Sequence, residues 1–170
     1  MLFRSSGISY ADTGFGVGFI ISHQNADGGW PNSATEPNIA ASHILPSAHS
    51  IITLSRLKQI GYGVDANITN GVNWLKLGQK ADGGFSEDTS ATTGNPYDTA
   101  LVYLALNQAK LTGNSAAVGA QVAIDNAQQY LVNNQGTDGS WSNGDPLSTA
   151  LALQALPATT LIDTDKDGYP

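Results

Sequence analysis

At 170 residues the chain has the length of one domain with a buried core, and its composition closes off several classes of function. A net charge of −7, with only seven Lys and Arg, argues against nucleic acid or an anionic membrane as partner. The absence of cysteine excludes a disulfide, a thiolate nucleophile and a cysteine-ligated zinc, and no apolar run is long enough to span a bilayer. Charged residues are only 12%, so the polar surface must come from Ser, Thr, Asn, Gln and 19 glycines. Such a surface fits a secreted or cell-surface protein. Met1–Gly7 lack the apolar stretch of a signal peptide, so the secreted reading expects the signal outside this chain.

Along the chain, one pattern occurs three times. The first copy, about residues 12–60, opens with a predicted helix assigned on repeat register alone. Gly14, Gly16 and Gly18 each cost that helix about 1 kcal/mol relative to Ala. The run Phe19 to Trp30 then gives an aromatic, an aliphatic, Gln24, an Asp-Gly pair at Asp27-Gly28, and a second aromatic. Pro46 is expected at the first position of a helix running to Ile60, and Gly61-Tyr62-Gly63 breaks the chain.

The second copy, about 65–110, is predicted to start with Asp65 as N-cap of a helix over 66–80. Its turn repeats as Trp74 to Phe85, with Gln79 and Gly83. Asn95-Pro96 then signals a second helix, where Leu101, Leu104 and Ala105 lie at helical spacing. Thr112-Gly113-Asn114 marks the next break. The third copy, about 115–157, runs through Tyr130 to Trp141 with Gln135 and Gly139. The three glutamines stand 55 and 56 positions apart, and apolar second-helix stretches begin at Ser50, Ala100 and Ala150. The expected architecture is therefore all-α: helix, glycine turn, loop, helix, three times over residues 8–157.

Gln24, Gly28, Trp30, Gln79, Gly83, Phe85, Gln135, Gly139 and Trp141 form the shared turn. A Gln at a helix end can bond backbone groups left unpaired there, with the aromatic lying over its amide. Asp27, Asp82 and Asp138 can close Asx turns, with the following glycines supplying positive φ. These are expected to be structural residues.

The turn resembles the QW motif of squalene and hopene cyclases, in the α/α-toroid family of terpenoid cyclases and protein prenyltransferases. Gly16, Gly71 and Ala127 fit that motif's small position, although the basic residue that often precedes it is missing. The resemblance implies hairpins forming part of an α/α toroid. Family cyclases protonate their substrate with the middle Asp of Asp-x-Asp-Asp followed by Thr. Here the corresponding run is Asn95-Pro96-Tyr97-Asp98-Thr99, with Tyr97 at the proton-donor position. A phenol is far too weak an acid to protonate an alkene. Family prenyltransferases hold zinc on Asp, Cys and His, and related thioester domains need a cysteine; this chain has none. Related cobalamin carriers bind without catalysis and are not excluded.

Two further features bear on function. Tyr97 and Asp98 stand where a ligand mouth would lie, Asp98 being alternatively an acid of the first helical turn. Its nearest counterparts are taken as Ala48 and Ser148. Glu36, Glu87, Asp88, Asp98 and Asp145 are expected near the N-termini of the second helices, where paired carboxylates serve acid–base work on a glycan or simply face solvent. His43 and His49 are wrongly spaced for a metal on one helix face. The tail, 158–170, carries Asp163, Asp165 and Asp167 before Gly168, the start of a calcium loop that also resembles a thrombospondin type-3 repeat. An EF-hand would need a Glu at position twelve, so calcium is expected to bind the parent protein and only weakly this chain alone.

The reading is a non-catalytic binding or structural module, with an enzyme acting on a polysaccharide or lipid through loop carboxylates as the alternative. An open three-copy array leaves apolar ends. Self-association or adjoining domains of the parent chain are therefore the expected partners, with a small molecule or glycan as a further ligand.

Overall fold

The computed structural model describes residues 10–32 and 40–156. It is mostly helical, 60% helix against 3% strand. Among the described residues the helices are α1 (Tyr10–Ser22), α2 (Ile44–Gln59), α3 (Asp65–Leu77), α4 (Pro96–Leu111), α5 (Ser115–Val118), α6 (Gln121–Asn133) and α7 (Pro146–Ala155). Two short strands, β1 (Trp30–Pro31) and β2 (Ser42–His43), pair antiparallel, Trp30 opposite His43. The sequence reading did not foresee this ladder, which closes the long first loop back onto its own turn.

Helices α2, α4 and α7 lie side by side, while α3 packs on α2 and α6 on α4. The second and third copies thus each supply one helix to each of two layers. The main core gathers Ile51, Leu54, Ile68, Val72, Leu75, Phe85, Val102 and Leu106, all fully buried. A smaller cluster joins Ala100 of α4 to Tyr130, Leu131, Trp141, Ala152 and Leu156 of the third copy. Helix α1 forms despite Gly14, Gly16 and Gly18, whose missing Cβ atoms face open space.

Local chemistry sets the helix ends. Asn95 caps α4, accepting from the amides of Tyr97 (2.8 Å) and Asp98 (3.3 Å), with Pro96 in the first turn as expected. Asp145 does the same for α7 through Ser148 N (2.8 Å). Three expectations are corrected: the start of α2, the cap of α3, and the end of α3, which falls three residues short of the expected residue 80. Helix α2 begins at Ile44, two residues ahead of Pro46, because Glu87 Oε2 from the second copy accepts the Leu45 amide at 3.0 Å. The first turn tolerates Pro46 because its amides have no intrahelical acceptor anyway. Asp65 is the first residue of α3 and does not cap it; its carboxylate accepts from Lys58 and from Asn114 Nδ2. That helix stops at Leu77, where Gly78 follows.

Asn114, read from sequence as part of a break, is a fully buried hub. It accepts from Ala117 N at 3.1 Å and donates to Asp65 Oδ1 and Thr69 Oγ1, each at 2.9 Å. It thereby fixes the start of the third copy to the first helix of the second.

Candidate functional site

The turn residues are the best-defined polar constellation, and the same bonds recur copy by copy. Gln24 Nε2 donates to Gly28 O (2.8 Å) within its own turn and to Asn67 O (2.9 Å) on α3 of the next copy. Gln79 Nε2 repeats this with Gly83 O (2.9 Å) and Ala123 O (2.8 Å) on α6. Gln135 Nε2 donates to Gly139 O at 3.1 Å. Each glutamine therefore closes a turn, and the first two also tie that turn to the following hairpin.

The Asx turns form as expected: the Oδ1 atoms of Asp27, Asp82 and Asp138 accept the amides of Gly29, Gly84 and Ser140, all at 3.0 Å. Gly28, Gly83 and Gly139 take φ of 99°, 87° and 78°. The aromatics Trp30, Phe85 and Trp141 enter the core. The indole N–H groups bond backward to the first helix of the same copy, Trp30 to Ile20 O (2.7 Å) and Trp141 to Leu131 O (2.8 Å).

A second repeated element was missed in the sequence. The backbone amides of Trp30, Phe85 and Trp141 each donate to a hydroxyl in the first turn of the second helix: Ser47 (2.8 Å), Thr99 (2.8 Å) and Thr149 (3.0 Å). Each hydroxyl precedes an alanine, Ala48, Ala100 or Ala150, and that dipeptide was the available signal. It shifts the register of the first copy by two residues, so Ala48, and not Ser50, matches Ala100 and Ala150. The counterpart of Asp98 in the first copy is accordingly Pro46, with Ser148 retained in the third.

The loop carboxylates separate in the fold. Asp98 is buried, and its Oδ2 accepts the Glu87 amide at 2.8 Å, bracing the loop over α4. Burial pushes its carboxyl above the ordinary range; the neighbouring Glu87 charge adds to this and the Glu87 amide partly offsets it. Tyr130 lies near enough to feel Asp82 and Asp98, and burial, with those charges, pushes its phenol up to about 12. Tyr97 is half-buried in the first turn of α4. Asp88 is exposed and held below its usual range by Ser90, and Asp145 by Ser148. Glu36, Asp163, Asp165 and Asp167 lie outside the described residues.

Glu87 joins a different group. Its Oε1 lies 2.6 Å from His43 Nδ1 while Oε2 holds the α2 amide, so both oxygens are engaged. The pair borders a cavity of about 130 Å³ between the first two copies, lined also by Trp74, Lys80, Ser86 and Thr89. When the Nδ1 proton points at Glu87, neutral His43 carries its lone pair on Nε2, the tautomer a general base requires. A larger, open polar cleft of about 490 Å³ lies beside the third turn, lined by Asn134, Thr137, Asp138, Ser142 and Asn143. His49 is exposed on α2, and His23 stacks on Phe19 at 3.9 Å between ring centroids. Among the described residues no group of three His, Asp or Glu is placed to hold a metal ion, and no helix is long and apolar enough to cross a membrane.

No family model, curated protein or solved structure significantly matches the chain.

Proposed function

We propose that this chain is a non-catalytic binding or structural module of a secreted or cell-surface protein, built from three prenyltransferase- and squalene-cyclase-like hairpins as an arc of an α/α toroid. The observation that carries this reading is how the motif side chains are engaged. Gln24 and Gln79 bond their own turns and the next hairpin, the acidic turn residues close Asx turns, and the aromatics are core. In the first two turns these side chains are taken up by the fold; in the third, Asp138 closes its turn and also borders the open cleft. At the position where related cyclases carry their acid stands Tyr97, and its neighbour Asp98 braces a loop.

The ends of the arc expose apolar side chains, Phe15 and Phe19 on α1, Leu147 and Leu153 on α7. Such ends call for a second copy or adjoining domains of the parent chain. The Asp163–Asp167 segment fits a calcium-binding linker to such a domain. The test is turnover against broad glycan and isoprenoid panels, for which no turnover is expected.

A second reading, hydrolysis or elimination on a polysaccharide, is favoured by one feature, the His43–Glu87 pair at its cavity. Glycan turnover that is abolished by Glu87→Gln and by His43→Gln, with folding intact by circular dichroism, would establish that reading and sink the module. A small molecule or glycan bound without turnover is compatible with the module.

A further inference from the structure

Asn-Gly occurs twice in the chain, at Asn70-Gly71 and Asn143-Gly144. Such a pair holds an intramolecular reaction in reserve. The glycine nitrogen, with no neighbouring Cβ to shield it, can attack the side-chain carbonyl carbon of the asparagine once the backbone brings the two together. The fold treats the two pairs differently. Exposure does not separate them, since both asparagines are exposed.

Asn70-Gly71 lies inside α3. There the Gly71 amide belongs to the hydrogen-bond ladder of the helix. Gly71 is buried, and a Cβ on it would stand 2.7 Å from the Trp30 ring and 3.0 Å from Ile51. On its other side Asn70 O packs over Gly28, 2.6 Å from where a Cβ would be. Turning the Gly71 nitrogen toward the Asn70 side chain would mean opening α3 and parting it from the first copy.

Asn143-Gly144 lies in the loop ahead of α7. Ser142, Asn143 and Gly144 have φ of 52°, 57° and 83°, a left-handed turn closed by the bond from Asp145 N to Trp141 O at 3.1 Å. For Ser142 and Asn143 this conformation crowds Cβ against the following carbonyl. Among the described residues no acceptor meets the Gly144 amide and no partner holds the Asn143 side chain. A Cβ on Gly144 would meet nothing within 4 Å. Rotating this peptide therefore breaks one turn bond and relieves the left-handed pair.

We infer that Asn143 is a self-modifying site, where the Gly144 nitrogen converts the side-chain amide to a carboxylate with water as co-reactant. The deprotonated Gly144 nitrogen bonds to Asn143 Cγ, the bond from Cγ to Nδ2 breaks, and ammonia leaves with the proton. Water then opens the five-membered imide at either carbonyl. Opening at Cγ gives aspartate, and opening at the backbone carbonyl gives isoaspartate, with the chain running through Cβ. Either product adds a carboxylate to the cleft of about 490 Å³, where Asp138 is the one charged lining residue.

The test incubates the full chain at mildly alkaline pH, folded and in urea, and maps its peptides by mass spectrometry, with N143D as the standard for the aspartate product. In the folded chain Asn143 is expected to convert at least about tenfold faster than Asn70, because only Asn70 must wait for a helix to open. In urea the two rates are expected to come together. Equal rates in the folded chain, or an Asn143 that converts in urea and stays intact when folded, overturns the inference. So does a product that is aspartate alone, since direct hydrolysis by water bypasses Gly144 and leaves no isoaspartate.

Discussion

Gln79→Ala is the most direct perturbation of the link between copies. Its Nε2 group donates to two backbone oxygens, Gly83 O at 2.9 Å and Ala123 O at 2.8 Å. A net hydrogen bond of this kind contributes about 0.5–1.5 kcal/mol, and the site is part-buried, so the loss is expected at about 1–3 kcal/mol. For a domain near 150 residues this corresponds to a fall in Tm of roughly 2–4 °C per kcal/mol. Gln79→Glu is expected to cost more, since an ionised carboxylate has no proton to give and would face two carbonyl oxygens. The control is Gln129→Ala, which removes only an exposed bond along α6 to Asn133 and is expected within about 0.5 kcal/mol of the parent. Urea unfolding followed by circular dichroism measures all three. If Q79A matched Q129A, the claim that this amide couples successive hairpins would be wrong.

Other expectations follow from single contacts. Gly84→Ala sets a Cβ 2.7 Å from Gly94 Cα and 2.8 Å from the Tyr130 ring, so a loss of about 1–3 kcal/mol is expected in the same unfolding assay. Asn114→Ala removes the cap of Ala117 and the bonds from this buried side chain to exposed Asp65 and half-buried Thr69 on α3, and is expected to cost about 1–3 kcal/mol; a loss under about 0.5 kcal/mol would contradict its role as a hub. Asp98 has a folded-state pKa raised above 3.8, so between those two values the folded state holds more protons than the unfolded one. Stability from this group therefore falls as pH rises through that window. Asp98→Asn, which keeps an acceptor for the Glu87 amide, is expected to gain on the parent as pH rises through the window. Denaturation midpoints from pH 3 to 7 should show the two converging at the acid end; a constant gap would refute the assignment.

The helical hairpins were legible because their signals are local. Proline with a preceding Asn, glycine breaks and the recurring Gln-to-aromatic spacing each report on a few neighbouring residues. The Asx turns and positive-φ glycines followed from residue type alone. What escaped the sequence depends on partners distant along the chain. Glu87 starts α2 from another copy, which a reading centred on Pro46 could not anticipate. Asn114 reads as a loop residue because its bonds reach back to Asp65 and Thr69. The hydroxyls Ser47, Thr99 and Thr149 were obscured because the first loop is the longest, and aligning apolar runs misplaced it by two residues. Asp98 was picked out as a carboxylate of interest, but the bond that engages it, to Glu87 N, is visible only in the fold. The His43–Glu87 pair went unread for a similar reason, since its members belong to different copies.

The measurement that bears most directly on the central claim is the mass of the chain in solution by light scattering, first with calcium and then with a chelator. An arc of non-catalytic hairpins with exposed apolar ends is expected to form a stable dimer in both conditions. A monodisperse monomer in both would contradict self-association, because it would mean that the exposed leucines of α7 and phenylalanines of α1 need no second copy.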